Sequence, residues 1–185
     1  MCRYVDGTFK VVREPFRQLF SVHAFVKRDG QLKQVPMALV LMTSRRRVDY
    51  VRVLQALRDT LPQPPAVQAV VSDFEAALWS AIREVFPGVA QRGCAFHFSQ
   101  AVWRNVQAVG LQSAYAKDDG INRVCRKMQA LCFLPADVIG DELAKLEQVA
   151  AAARDTRVQE HLQNVRRNWV DGCWRPATWS GRCYG

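Results

Sequence analysis

"PAVQAVVSDFEAALWSAIREVFPG", residues 65–88, changes its hydrophobic period half-way. Ala69, Val70 and Val71 form a short apolar run that ends at an acid, Asp73, and reads as a buried strand. Leu78, Ile82 and Val85 then recur at helical spacing until Pro87 and Gly88 stop the helix. An acid at the C-terminal end of a strand in an α/β sheet stands where ligands bind. The structural alternative for Asp73 is a cap on the helix that follows.

Upstream, the pattern is that of strands. "RYVDGTFKVV" (3–12) alternates, with Tyr4, Asp6, Thr8 and Lys10 on one face and Val5, Phe9 and Val11 on the other. "QLFSVHAFVK" (18–27) is closed by "RDGQ", and an Asp-Gly between two strand-like runs is a strong hairpin signal. "VPMALVLMT" (35–43) is a third strand, whose Pro36 is best tolerated on a sheet edge. Tyr50, Leu54, Leu57 and Leu61 predict a helix that ends at Pro62, Pro64 and Pro65. Downstream, "VAQRG" (89–93) is short enough for a last strand, and "CAFHFSQAVWRN" (94–105) begins another helix. The order β-β-β-α-β-α-β-α is that of a ribonuclease H-like α/β domain with a mixed sheet.

In such a sheet the first strand is central and lies beside the fourth, so Asp6 and Asp73 fall on neighbours. Two carboxylates that converge there can share a divalent ion. Hard oxygen ligands suit Mg²⁺ or Mn²⁺. Two such ions about 3.5–4 Å apart serve phosphodiester chemistry by activating the attacking oxygen and stabilising the leaving one.

From about residue 111 strand signals stop. Ile121, Val124, Cys125, Met128, Leu131 and Cys132 make one apolar stripe, Ile139, Leu143, Leu146 and Ala150 a second, and Val158, Leu162, Val165 and Trp169 a third. The division that follows is a ribonuclease H-like core over 1–111, a helical insertion over 112–170, and an irregular tail over 171–185. Trp169, Trp174 and Trp179 are read as packing residues, with base stacking as the alternative.

The hydrophobic fraction of 49% fits a globular chain. No apolar run approaches the ~20 residues of a membrane span, and the first residues lack the apolar core of a signal peptide. Six irregularly spaced cysteines fit free thiols inside a cell better than a disulfide framework. The net charge of +9 is uneven, with 15 Lys/Arg against 8 Asp/Glu in residues 1–110 and 11 against 9 thereafter. A basic first part points to a polyanionic partner, nucleic acid first. Arg45, Arg46 and Arg47 at the start of the first helix, with Arg13, Arg17, Lys27, Arg28 and Lys33 on the hairpin, are candidates for contacts to DNA phosphates.

Cys94 and His97 stand three apart. At roughly 100° per residue, His97 lies about 140° from the centre of the stripe made by Ala95, Phe98, Val102, Val106 and Val109, so it is not a core histidine on that side. The pair offers two of the four ligands of a structural zinc. Cys125, Cys132, Cys173, Cys183 or His161 would have to complete it, none with clean spacing, and a structural zinc is disfavoured. A role beside the acids and simple packing both remain open.

"YVDGTFKVVREPFRQLFSVHAF", "VVSDFEAALWSAIREVFPG" and "GCAFHFSQAVWRNVQAVGL" resemble, in order and spacing, the transposase domain of Mutator-like elements, densely over 3–111 and more loosely to about 175. The resemblance implies a DDE-type, metal-dependent site for DNA strand cleavage and joining, with Mg²⁺ or Mn²⁺. It implies a nuclear protein whose partner is DNA, without a membrane association and with a homo-oligomer allowed. Asp6 matches the first catalytic acid, Asp73 the second, and Cys94 with His97 the family's cysteine-histidine motif near the site. The family's third acid, a glutamate beyond the helical insertion, has no counterpart before "WSGRCYG"; Glu142, Glu147 and Glu160 fall inside insertion helices. The chain is therefore expected to be an incomplete copy. The alternative is a decayed or domesticated, non-catalytic module that binds DNA or another protein.

Overall fold

The Asp-Gly turn forms as the sequence predicts. Asp29 (φ 52°) and Gly30 (φ 76°) both take the left-handed conformation that a two-residue hairpin of type I′ requires. They join β2 (Gln18–Arg28) to β3 (Gln31–Met42) in a computed structural model that describes residues 2–8, 11–61, 67–151 and 155–181. The chain forms two compact units, Met1–Arg92 and Gly93–Tyr184.

The first unit is built on a mixed sheet of five strands, completed by β1 (Cys2–Thr8), β4 (Ala69–Ser72) and β5 (Ala90–Gly93) in the order β3-β2-β1-β4-β5. β1 is antiparallel to β2 and parallel to β4. Pro36 sits in β3, an edge strand, next to a register shift at Val22/His23, where its missing N–H costs no central ladder bond. One face carries Val5, Phe20, Met42 and Val70, which pack with Tyr50, Val51 and Leu54 of α1 (Arg47–Asp59) and Leu78, Ile82 and Val85 of α2 (Ala76–Val85). Each helix turns a stripe of apolar residues to that face, as the sequence periodicity predicts.

Two expectations at element ends fail for a geometric reason. β1 stops at Thr8, opposite Leu19, because the chain must turn back towards β2; Val11 is therefore 64% exposed in that turn instead of on the core face. Phe9 and Lys10, read on the same strand, lie outside the described residues. α1 ends before the prolines, with the Thr60 hydroxyl donating to the Ala56 carbonyl at 2.7 Å, so Leu61 is exposed. Pro62, Pro64 and Pro65 themselves lie outside the described residues.

The second unit is helical, and richer in elements than three stripes foretell. It holds α3 (Ala95–Ala108), α4 (Gln112–Lys117), α5 (Asp119–Ala130), α6 (Ile139–Ala151), α7 (Thr156–Val165) and the one-turn α8 (Pro176–Trp179). The predicted stripes are its core: Val124, Cys125, Met128, Leu131, Cys132, Ile139, Leu143, Leu146, Ala150, Val158, Leu162 and Val165 are buried. Phe98 stacks on Trp179 at 4.4 Å between centroids and meets Trp169 edge-on at 5.0 Å. The Trp179 indole donates to the carbonyls of Trp169 and Trp174. Trp169 and Trp179 are thus packing residues, and the tail to Gly181 folds against α3 because an aromatic pair holds it there. Among the described residues no helix is long and apolar enough to cross a membrane.

His161 of α7 is fully buried, with Nδ1 2.5 Å from the Asn105 side-chain oxygen of α3 and no hydrogen-bond partner at Nε2. Burial lowers its pKa to about 4. The folded state therefore resists protonation that the unfolded chain accepts from pH 6.5 downwards, and stability present above pH 6.5 is lost as the pH falls towards 4. The shift corresponds to roughly 3 kcal/mol over that window. Urea titrations at pH 7, 5.5 and 4 are expected to show a falling midpoint, and His161→Gln to flatten that fall even if it lowers the midpoint at pH 7.

Candidate functional site

The C-terminal ends of β1 and β4 bring two acids level. Cys2 pairs with Ala69, Arg3 with Val70 and Tyr4 with Val71 in the parallel ladder. Asp6 and Asp73 each lie two residues past the last of these pairs, one on each of two adjacent chains. Neighbouring strands run about 4.8 Å apart. Alternation puts Asp6 on the face opposite the buried Val5, together with Tyr4.

Polar groups of β2 flank Asp6. Ser21 is its partner across the antiparallel ladder, and the Ser21 hydroxyl donates to the Asp6 carbonyl at 3.3 Å. The His23 Nε2 lies 2.9 Å from the same hydroxyl.

Asp73 is fixed from the other side. Its carboxylate accepts from the Glu75 N–H at 3.2 Å, and its carbonyl accepts from the Trp79 indole at 2.7 Å. Trp79 is in turn anchored through its own carbonyl, which accepts from the Gln91 side chain at 2.8 Å. The cap position of α2 belongs to Glu75, so Asp73 supports the turn before the helix without being its cap.

Glu75 belongs to a network that sequence reading missed. The Tyr50 hydroxyl donates to Glu75 at 3.0 Å and accepts from the Gln18 amide at 2.8 Å, while Arg45 lies 4.0 Å from the same carboxylate. Burial, with the nearby charge of Asp73, pushes the Glu75 carboxyl above its ordinary value against the pull of Tyr50 and Arg45. Burial likewise raises the Tyr50 hydroxyl, which therefore acts as a neutral donor. The network ties the first residue of β2, α1 and the turn after β4 into one edge. The S-D-x-E spacing is the one sequence signal that singles out Glu75; Tyr50 reads as part of an apolar stripe and Gln18 as an ordinary strand end.

The three arginines picked out for DNA phosphates all face carboxylates. Arg45 is next to Glu75, Arg46 contacts Asp49 at 3.0 Å, and Arg47 pairs with Glu84. Arg46 and the Ser44 hydroxyl hold the Asp49 carboxyl down at about 2.

In the helical unit, Cys94 is the N-cap of α3 and half-buried, and His97 lies in the first turn, also half-buried. Burial pushes the Cys94 thiol up, but the His97 ring and the N–H groups of the first turn outweigh it and leave the thiol below its ordinary value. Cys125 and Cys132 are fully buried, and burial raises both. Cys173 is exposed, and Cys183 lies outside the described residues. His161 is committed to Asn105. Among the described residues no group of three His, Cys, Asp or Glu is placed to hold a metal ion.

A model of the MULE transposase domain matches residues 2–101. The chain belongs to the MULE transposase family. The match to this transposase domain takes in Asp6, Asp73, Cys94 and His97. No curated protein matches the chain.

The edge network of this transposase domain is open to a direct check. Tyr50→Phe deletes the hydroxyl that Gln18 and Glu75 share and leaves the buried Gln18 amide short of a partner. A loss of about 1–3 kcal/mol in urea denaturation is expected.

Proposed function

We propose that the chain is the catalytic-core portion of a DDE-type DNA transposase with a ribonuclease H-like fold, in which Asp6 and Asp73 hold the catalytic Mg²⁺ or Mn²⁺. The observation that carries this reading is the level placement of the two acids on adjacent parallel strands. The strand order with a central β1 and the family match both support it.

The two carboxylates fit such an ion in kind. They are hard oxygen donors at a strand edge, and Mg²⁺ is commonly held by one or two carboxylates with substrate phosphates and water completing the shell. The ion, when bound, supplies Lewis acidity at the phosphodiester. The chain's own part is positional. Ser21 braces the backbone at Asp6, and Glu75 and Trp79 clamp Asp73, so both carboxylates are presented without reorganisation when DNA arrives.

In this reading residues 1–111 form the core, 112–170 an insertion and 171–185 a tail. Cys94 and His97 are the family's cysteine-histidine motif. Arg45, Arg46 and Arg47 contact DNA phosphates only by exchanging their present carboxylate partners. The protein works in the nucleus on transposon ends. Glu142 is engaged by Lys145 at 2.5 Å and Glu147 by both nitrogens of Arg166 at 2.6 and 2.7 Å. Neither is therefore poised to act as the third acid.

Manganese binding followed by the electron paramagnetic resonance signal of the free ion tests the pair. Either Asp6→Asn or Asp73→Asn is expected to weaken binding by roughly tenfold (~1.4 kcal/mol) or more. Binding left unchanged in both variants would favour the non-catalytic module. In a plasmid-nicking assay with Mg²⁺ or Mn²⁺, the 185-residue chain is expected to give no more product than Asp73→Asn. A nick that Asp73→Asn abolishes would show that residues 1–185 already contain the third carboxylate.

A further inference from the structure

The basic side chains of the helical unit are not spread evenly. α5 begins at Asp118, whose carboxylate accepts from the Ile121 N–H at 3.0 Å, and it buries Val124, Cys125 and Met128. Its other face carries Arg123, Arg126 and Lys127, all exposed. They line an open groove of about 530 Å³ with Asp119, Asn122 and Ala130.

Arg126 and Lys127 stand three and four residues after Arg123, so each has its Cβ about 5–6 Å from that of Arg123 and the three side chains fan out from one patch. Among the described residues none of the three cations has an ion-pair partner. Elsewhere in the unit, Lys145, Arg157 and Arg166 pair with Glu142, Asp155 and Glu147. Asp119 stands at the N-terminal end of the groove, where a helix favours an acid, and makes no ion pair with Arg123. Three clustered cations without a carboxylate between them repel one another. The face is therefore disposed to take an anion that is itself extended, because one small ion cannot reach all three.

We propose that the exposed face of α5, through Arg123, Arg126 and Lys127, is a contact surface for the phosphate backbone of duplex DNA. The inference rests on the reading of this chain as a DNA transposase and locates a DNA-contacting surface in the helical unit, in addition to the Arg45–Arg47 segment of the first unit. The side chains track phosphates and read no bases, so the contact is independent of sequence. Asn122, beside them, adds an amide donor to the same groove.

Fluorescence anisotropy of the full chain with a labelled, random-sequence duplex of ~20 base pairs tests this, with salt varied from about 50 to 200 mM. Arg123→Gln/Arg126→Gln/Lys127→Gln removes three charges from one patch. Arg52→Gln/Arg83→Gln/Lys145→Gln removes three exposed charges scattered over α1, α2 and α6 and leaves the same net charge. Circular dichroism confirms that both are folded. Each phosphate contact contributes about −0.9 to the slope of log K against log salt, so the α5 variant is expected to flatten the slope by about 2.7 and the scattered variant by less than ~1. At the lowest salt the α5 variant is expected to bind roughly tenfold or more weakly than the wild type. Equal effects of the two variants, or an α5 variant that keeps the wild-type slope, would overturn the α5 surface and leave the DNA reading standing. A wild-type chain that does not bind the duplex overturns both.

Discussion

The parallel pairing of β1 with β4 is the constraint on which the rest of the first unit depends. A parallel pair needs a crossover, and everything between the two strands, the hairpin, the edge strand and α1, is accommodated in that crossover. The ladder's register then makes Asp6 and Asp73 level. A slip of one residue would carry one acid to the opposite face, since side chains alternate with period two. Burial of Val5 and Val70 on the helix-covered face opposes such a slip, so the packing of the core and the placement of the acids are the same fact seen from two sides.

The acids themselves contribute little to that register. Their neighbours hold them in place. Asp73 is fixed through its backbone and through the chain of Glu75, Tyr50 and Gln18, which spans 57 residues of sequence from Gln18 to Glu75. This buried polar network is satisfied at Tyr50 by both of its partners, and such networks favour one arrangement because a half-made one is costly. The raised Glu75 and Tyr50 groups are what burial of that network produces.

The helical unit relies on different physics. Its core is aliphatic over α5 to α7, with an aromatic cluster of Phe98, Trp169 and Trp179 that recruits the tail, and one buried histidine bridged to Asn105. Positive charge there is left on the outside of α5, where among the described residues Arg123, Arg126 and Lys127 make no ion pair. Elsewhere on the surface several arginines have a carboxylate partner, including those that a reading of charge alone would send to DNA.

Periodicity and turn chemistry made most of the architecture legible. Asp29-Gly30 announced its hairpin because few other residue pairs accept two left-handed conformations, and the stripes of α1, α2, α5, α6 and α7 follow from the cost of exposing leucine and valine. Where elements end was less legible. Val11 continues an alternating pattern past the point where the ladder has no partner strand left, and local pattern carries no information about partners. The candidate acids were visible because an acid just past a short apolar strand, as at Asp73, and an acid on one face of an alternating strand, as at Asp6, are local signals. Glu75, Tyr50 and Gln18 were not, because their meaning lies in contacts between segments far apart in the chain.

The sequence by itself determined the strands and the first helices, their order, the candidate acids and the family to which they point, since hydrophobic period, turn residues and motif spacing are all short-range properties. Only the tertiary structure decided which charges are spent on neighbours and which are left over. Arg45, Arg46 and Arg47 look like an anion-binding run, and folding gave each a carboxylate. Arg123, Arg126 and Lys127 look like an ordinary solvated helix face, and among the described residues folding gave none of them an ion-pair partner, although Asp119 stands at the end of their groove. Charge pairing depends on distances across the fold, and those are set by packing.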